Sequence, residues 1–422
     1  MLNEIFQKLA PTSQPVPNIQ HLRVGCLIAL DTLMRTLMNS GTVSAFYKEH
    51  SDHLYAVGEA MVKDPQMEGE IAALCLKLYV ETVQTYVKKL IDFKAHSSIY
   101  AIMNADKFIL SLVDQIMQIP APQENVACIF YLRPKHMFHE LINEAKSKCV
   151  DILRSLVDAG FYKDPPKGGP KQLKWYPRIL ELSSLIIQGG YILSTSGTTA
   201  KSIKTPVESC GYFMARTSRM MDFYTIYQPV YQEVFINFCL PNLVLTEKEA
   251  EDFNSNESEF VRYSTDLALT QKSKTLKCFA LQIVDNFCEK IDGVMSFVSC
   301  GVMGLVDSIL DKKSEAEMLR SYPTIEPLLK SKFIQAHATS PETVLDVCLL
   351  LLSSLSIFLA SRTDLMYACW LMFQGRIQEL AQEAYRCAHW TLESDQVSVH
   401  TALLSDDESN VRNQARRVIT LV

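Results

Sequence analysis

Glu70-Ile-Ala-Ala-Leu-Cys-Leu-Lys-Leu-Tyr-Val-Glu-Thr-Val-Gln-Thr-Tyr-Val-Lys-Lys-Leu-Ile-Asp-Phe93 reads as one amphipathic helix. Leu76, Val80, Val83, Val87 and Leu90 recur every three or four residues, which lines them along one face of a helix turning once per ~3.6 residues. Lys77, Glu81, Gln84 and Lys88 fall on the other side. The same spacing returns in Leu276, Phe279, Ala280, Ile283 and Phe287. No comparable stretch alternates with the period of a strand, so the pattern predicts an all-α chain.

Working outward, breakers divide the sequence into predicted helices at 18–38, 43–63, 66–93, 97–118, 125–158, 175–194, 208–225, 228–240, 257–269, 272–291, 293–312, 325–337, 341–361, 364–374, 376–394 and 408–422. Paired in order they give about eight antiparallel hairpins of ~50 residues each, close to the period of HEAT repeats. A lone hairpin cannot bury its apolar face, whereas stacked hairpins can. The expected architecture is therefore an α-α superhelix, a HEAT/armadillo-like solenoid in which residues 1–422 form a single array. The main interruptions are the Pro/Gly/Lys-rich run with Lys163, Lys167, Lys171 and Lys174, the polar run 194–204, and an acidic run at 246–259. None has the composition of a linker between separate domains.

Composition agrees. With 48% hydrophobic and 21% charged residues the chain can bury a continuous core, and its 15 glycines and 17 prolines are few for a large β or α/β protein. The net charge of −6 argues against a general nucleic-acid binder, and no direct nucleic-acid contact is expected. The 12 cysteines contain no CxxC pair, and Cys26, Cys75, Cys128, Cys278, Cys288, Cys348 and Cys369 lie in apolar runs. They read as small core residues in a reducing compartment, with no metal or cofactor implied. The run 347–360 is too short to span a bilayer, and 293–310 carries Asp307 and several glycines, so no membrane span is expected.

Ser405-Asp-Asp-Glu-Ser-Asn-Val-Arg-Asn-Gln-Ala fits the HEAT pattern, with Asp406, Val411, Arg412 and Ala415 in register. Ser405 and Glu408 form a capping-box signature, Val411 and Ala415 face the core, and Asp406 and Arg412 can pair across neighbouring repeats. These are structural positions.

Leu240-Pro-Asn-Leu-Val-Leu-Thr-Glu-Lys-Glu-Ala-Glu-Asp-Phe-Asn-Ser-Asn-Glu-Ser-Glu-Phe-Val-Arg262 resembles a segment of the importin-β superfamily of transport receptors. There a Pro-hydrophobic helix end and an acidic segment precede a Glu-Phe-hydrophobic-Arg opening, matched by Glu259, Phe260, Val261 and Arg262. Tyr367-Ala-Cys-Trp-Leu is similar to their later repeats. The resemblance is closest to the importin-seven-like importins and CAS-type exportins and covers about the last 200 residues by motif. Two features depart from it. Lys274 and Lys277 stand where the family has arginines, and Met1 already reads as mid-array, with no counterpart of the N-terminal repeats that contact Ran.

The resemblance implies a nucleocytoplasmic transport receptor that shuttles between cytoplasm and nucleus. It would bind protein cargo, nucleoporin Phe-Gly repeats and the Ran GTPase, the last weakened if the N-terminal repeats are missing. Glu247, Glu249, Glu251, Asp252, Glu257 and Glu259 are the candidate partner-binding residues, because acidic side chains would attract basic cargo. A solvated loop without a partner accounts for them equally well. The alternative function is a HEAT scaffold or regulatory subunit unrelated to transport.

No enzyme is expected. Ser194-Thr-Ser-Gly-Thr-Thr-Ala-Lys lacks the second glycine, the following Pro-Lys and the preceding strand of a phosphate loop. His136 and His139 make half a metal site without further ligands at suitable spacing.

Overall fold

The computed structural model describes residues 2–9, 19–63, 69–93, 109–119, 121, 128–160, 176–195, 201–243, 275–294, 297, 315–321 and 326–329. Among these residues the regular structure is helical and no strand occurs, so the described part of the protein is all-α. It divides into two compact units, Met1–Thr217 and Ser218–Val422.

The first unit holds α1 (Leu2–Leu9), α2 (Ile19–Arg35), α3 (Ser40–Val62), α4 (Glu70–Asp92), α5 (Ile109–Met117), α6 (Met137–Asp158), α7 (Tyr176–Thr195) and α8 (Lys201–Thr217). Local chemistry sets several ends. Asn39 and Thr42 close a reciprocal capping box ahead of α3, with Thr42 N–H donating to Asn39 Oδ1 at 2.9 Å. α6 stops at Gly160, whose φ of +80° suits glycine and lets its N–H return to Val157 O at 2.9 Å.

Alternate helices pack on one another: α2 against α4, α4 against α6, and α6 against α8. A second set, α1, α3, α5 and α7, lies over this row, with α3 on α4, α5 on α6 and α7 on α8. Helices α4 and α6 are consequently buried on most sides. Leu76, Val80, Tyr79 and Tyr86 of α4, and Ile142, Val150, Leu153 and Val157 of α6, are at most 1% exposed. Close approach requires glycine at Gly190 of α7, where a Cβ would lie 2.9 Å from Cys210 Cβ of α8.

In the second unit the chain is less regular. A 3₁₀ turn (Met221–Phe223), α9 (Tyr224–Tyr227), α10 (Tyr231–Val234), a π-helical turn (Phe235–Cys239) and α11 (Leu240–Leu243) follow in quick succession. Then come α12 (Leu276–Lys290), α13 (Glu315–Ser321) and α14 (Glu326–Leu329). Thr275 caps α12 by accepting from Cys278 N–H at 3.3 Å.

The predicted boundaries need correction in five places. The helix expected over 125–158 begins only at Met137, because Pro134 and the residue before it disfavour α geometry. The one expected over 208–225 runs from Lys201 to Thr217, and the interruption expected at 194–204 is partly helical. The one expected over 228–240 becomes 231–243 with a π turn inside it. α1 and α13 were not anticipated; both are short, and Glu315–Ser321 is also too charged to show an apolar stripe. The helices expected at 257–269, 341–361, 364–374, 376–394 and 408–422 lie outside the described residues.

Candidate partner-binding face

Burial on nearly every side leaves α4 and α6 one narrow polar stripe each. On α4 it carries Lys77, Glu81, Gln84 and Thr85, and on α6 it carries Glu144, Lys148, Asp151, Arg154 and Asp158. These spacings return to the same side of a helix, so the stripes run lengthwise and face each other across the seam. Lys77 Nζ meets Glu144 Oε2 at 2.6 Å, Lys148 Nζ stands 3.9 Å from Glu81 Oε1, and Gln84 Nε2 donates to Asp151 Oδ2 at 3.4 Å.

The ladder extends to both neighbouring helices. Toward α2, Thr85 donates to Asp31 Oδ1 at 2.9 Å, and Arg35 Nε holds Asp31 Oδ2 at 2.7 Å. Lys89 closes that end by donating to Arg35 O and Leu37 O, each at 3.1 Å. Toward α8, Asp158 accepts from Arg154 Nη1 at 3.2 Å and from Arg216 Nε at 2.8 Å. The Arg154 guanidinium lies 4.2 Å from the centre of the Tyr212 ring, a cation–π contact across the same seam. One polar line therefore crosses four helices.

Apart from Arg35, which is exposed, its charged side chains are half-buried. Burial raises the Asp151 carboxyl above its ordinary value, while Arg154, Lys148 and the Gln84 amide oppose that rise. Partly exposed pairs of this kind contribute roughly 0–1 kcal/mol each, so they fix the register of neighbouring helices more than they stabilise the fold. Asp31, Glu81, Glu144, Asp151 and Asp158 stand against Arg35, Lys77, Lys89, Lys148, Arg154 and Arg216, five against six, so the ladder carries no excess of negative charge. It has no electrostatic preference for a strongly basic partner.

The residues singled out in the sequence fall elsewhere. Glu247, Glu249, Glu251, Asp252, Glu257 and Glu259 lie outside the described residues, as do Asp406, Val411, Arg412 and Ala415 and the lysines at 163, 167, 171 and 174. His136 precedes α6 and His139 lies in its first turn, their rings 5.4 Å apart; His139 stacks on Tyr131 at 4.2 Å. Among the described residues no group of three or more His, Cys, Asp or Glu is arranged to hold a metal. Ser194 and Thr195 belong to the last turn of α7. Cys26, Cys75, Cys149, Cys210, Cys239 and Cys278 are buried free thiols, and Cys128 is half-buried. Burial holds the Cys149 and Cys210 thiols well above the usual thiol range, which keeps them protonated and unreactive. No described helix is long and apolar enough to cross a membrane.

Sequence reasoning missed two buried polar groups that shape this region. Asn143 and Lys146 of α6 are fully buried and hold the irregular chain before the helix. The only available signal was polar residues at positions where the apolar pattern of α6 would place core side chains. Compared with known proteins, the chain matches no family model and has no significant match among characterised sequences.

Proposed function

We propose that this protein binds other proteins along a helical-repeat array of the HEAT type, and that it serves as a nucleocytoplasmic transport receptor. The observation that carries the reading is the row α2, α4, α6, α8 with the second set of helices laid over it. A two-layer stack in which each helix pair rests on the next is how repeat arrays bury a core that one pair cannot supply. Such a row presents successive helix stripes to a long partner, and the ladder from Asp31 to Arg216 is the surface it would meet. Ion pairs shared between helices can re-pair with an incoming side chain at little net change in energy.

The transport reading adds the resemblance carried by Glu259, Phe260, Val261 and Arg262 and by the Asp406 to Ala415 pattern. On that reading protein cargo, Ran and Phe-Gly repeats are the partners, the protein shuttles between cytoplasm and nucleus, and Glu247, Glu249, Glu251, Asp252, Glu257 and Glu259 attract basic cargo. The second reading is a scaffold or regulatory subunit unrelated to transport. It is favoured by the ladder's lack of excess negative charge, which suits a partner of mixed charge better than a basic signal.

A pull-down with Ran loaded with GTP or GDP, alongside Phe-Gly repeats as bait, separates the two. Selective capture of the GTP form, with retention on Phe-Gly repeats, is the result expected of a receptor. Failure of both baits with folded protein rejects transport and leaves the scaffold.

A further inference from the structure

Residues 128–136 enter α6 without regular structure, yet their position is firmly set. Tyr131 N–H donates to Asn143 Oδ1 at 2.8 Å, and Asn143 Nδ2 donates back to Tyr131 O at 2.9 Å. Lys146 Nζ donates to Ile129 O and, at 2.7 Å, to Ile119 O. Phe130 is buried against Gly189 of α7, where a Cβ would come within 3.1 Å of its ring. Burying an amide and an ammonium is costly unless they are fully bonded, and here both are used to moor a loop. A loop held this firmly presents its exposed side chains in fixed positions, the arrangement a binding surface needs.

The side chains it presents are basic. Arg133, Lys135 and His136 are exposed, and Met137, next in sequence, is 55% exposed. Among the described residues none of these three basic side chains meets a carboxylate, in contrast to Arg35, Lys77, Lys148, Arg154 and Arg216 of the ladder. Their placement also runs against the local electrostatics. His136 occupies the N-cap of α6 without a side-chain cap bond, and the cations crowd the positive end of a 22-residue helix, where acidic or hydroxyl side chains are normally favoured. Glu140 is the one acidic residue of that first turn. Burial first, then the charges of His136 and Lys135, lower the pKa of His139, in keeping with a positive potential over the loop.

We propose that the loop carrying Arg133, Lys135 and His136 docks an acidic peptide segment of a partner protein, with Met137 covering an apolar side chain of that segment. Charge complementarity selects the occupant, and the adjoining exposed thioether adds an adaptable apolar contact. A peptide fits better than a nucleic acid. An arginine, a lysine and a histidine make no phosphate track, the chain carries a net −6, and the loop's aromatic rings, Phe130 and Tyr131, are buried. This surface is separate from the ladder and does not depend on the transport reading.

The test uses the full chain and a fluorescein-labelled peptide of glutamates around one central leucine, followed by anisotropy at low ionic strength. Saturable binding is expected, weakened about tenfold or more in the Arg133→Ala/Lys135→Ala double variant and retained in Arg133→Lys/Lys135→Arg. The alanine variant should keep or raise the melting midpoint, since it removes cations from the positive end of a helix. Met137→Ser should weaken binding about threefold. Equal affinity in the double variant, or equal binding of a peptide with Gln for Glu, overturns the proposal. So does loss of binding with a lowered melting midpoint, which assigns these cations a structural role. Tighter binding of a single-stranded RNA oligonucleotide through the same two residues overturns it in favour of nucleic acid.

Discussion

α6 and the segment from Tyr231 to Leu243 are both buried helical stretches beside awkward sequence, and they accommodate it in opposite ways. At α6 the irregularity stays outside. Pro134 confines the chain to a loop, and the helix, regular throughout, sends Asn143 and Lys146 to satisfy that loop's backbone. In the second unit the irregularity lies within the helix. Pro241 has no N–H to give Asn237 O, and its ring would crowd that carbonyl in an α turn. The wider π turn over Phe235–Cys239 comes just before it, and the Asn242 side chain donates to Phe238 O at 2.7 Å. Both solutions obey the rule that a buried backbone group must find a partner. They differ in which partner yields, a loop in one case and the helix in the other.

The mooring at α6 should be the costlier one to break. Asn143→Ala removes both of its hydrogen bonds to the buried backbone of Tyr131, and is expected to destabilise the first unit by roughly 2–5 kcal/mol. Chemical denaturation measures the loss, and hydrogen exchange at Tyr131 should accelerate with it. A loss below about 1 kcal/mol would mean that Lys146 and Phe130 packing hold the loop without Asn143.

How much of this contrast could be read in the sequence depends on which side of a helix a residue occupies. The α4 stripe of Lys77, Glu81 and Gln84 was legible because period alone separates it from Leu76, Val80 and Val83. The start of α6 was not legible. Ile129, Phe130 and Leu132 continue an apolar pattern upstream, and they are apolar because the loop packs into the core, which mimics a longer helix. Asn143 and Lys146 were equally hidden. A polar residue on a helix reads as solvent-facing until the chain that folds over it is known. The ladder partners on α6, Glu144 and Asp151, follow from helix spacing once α4 and α6 are known to be neighbours, a long-range fact that periodicity does not carry. The acidic run with Glu247 and the Asp406 pattern lie beyond the described residues and offer no comparison.

Lys146 sharpens the contrast through pH. Burial pulls its pKa from an ordinary 10.5 down to about 8. At neutral pH the ammonium is charged in both folded and unfolded chains, so the cost of burying it is carried in full. Between about 8 and 10.5 the unfolded chain binds this proton more tightly than the folded one, and stability therefore rises with pH across that window. Tyr79, whose pKa burial raises well above the usual phenol range, acts in the opposite sense as the unfolded chain ionises. Comparison with Lys146→Met cancels this and other shared contributions. The wild type should gain on the order of 2 kcal/mol relative to the variant between pH 8 and pH 10.5. Parallel pH profiles would show that Lys146 is solvated in the folded protein and does not tie Ile119 to Ile129.

The smallest effect is expected where the helix itself adapts. Asn242→Ala removes the hydrogen bond to Phe238 O and should cost about 1 kcal/mol, because a widened turn can offer the freed carbonyl to water or to another donor. Asn242 is half-buried, unlike the fully buried Asn143, so the lost partner is easier to replace. The pairing of Asn143→Ala with Asn242→Ala therefore tests the contrast directly in two substitutions of the same chemistry. A loss at Asn242 as large as that at Asn143 would mean the π turn is as rigidly determined as the moored loop. Both irregularities would then be fixed by side-chain bonds of equal strength, and the helix would have yielded only in geometry.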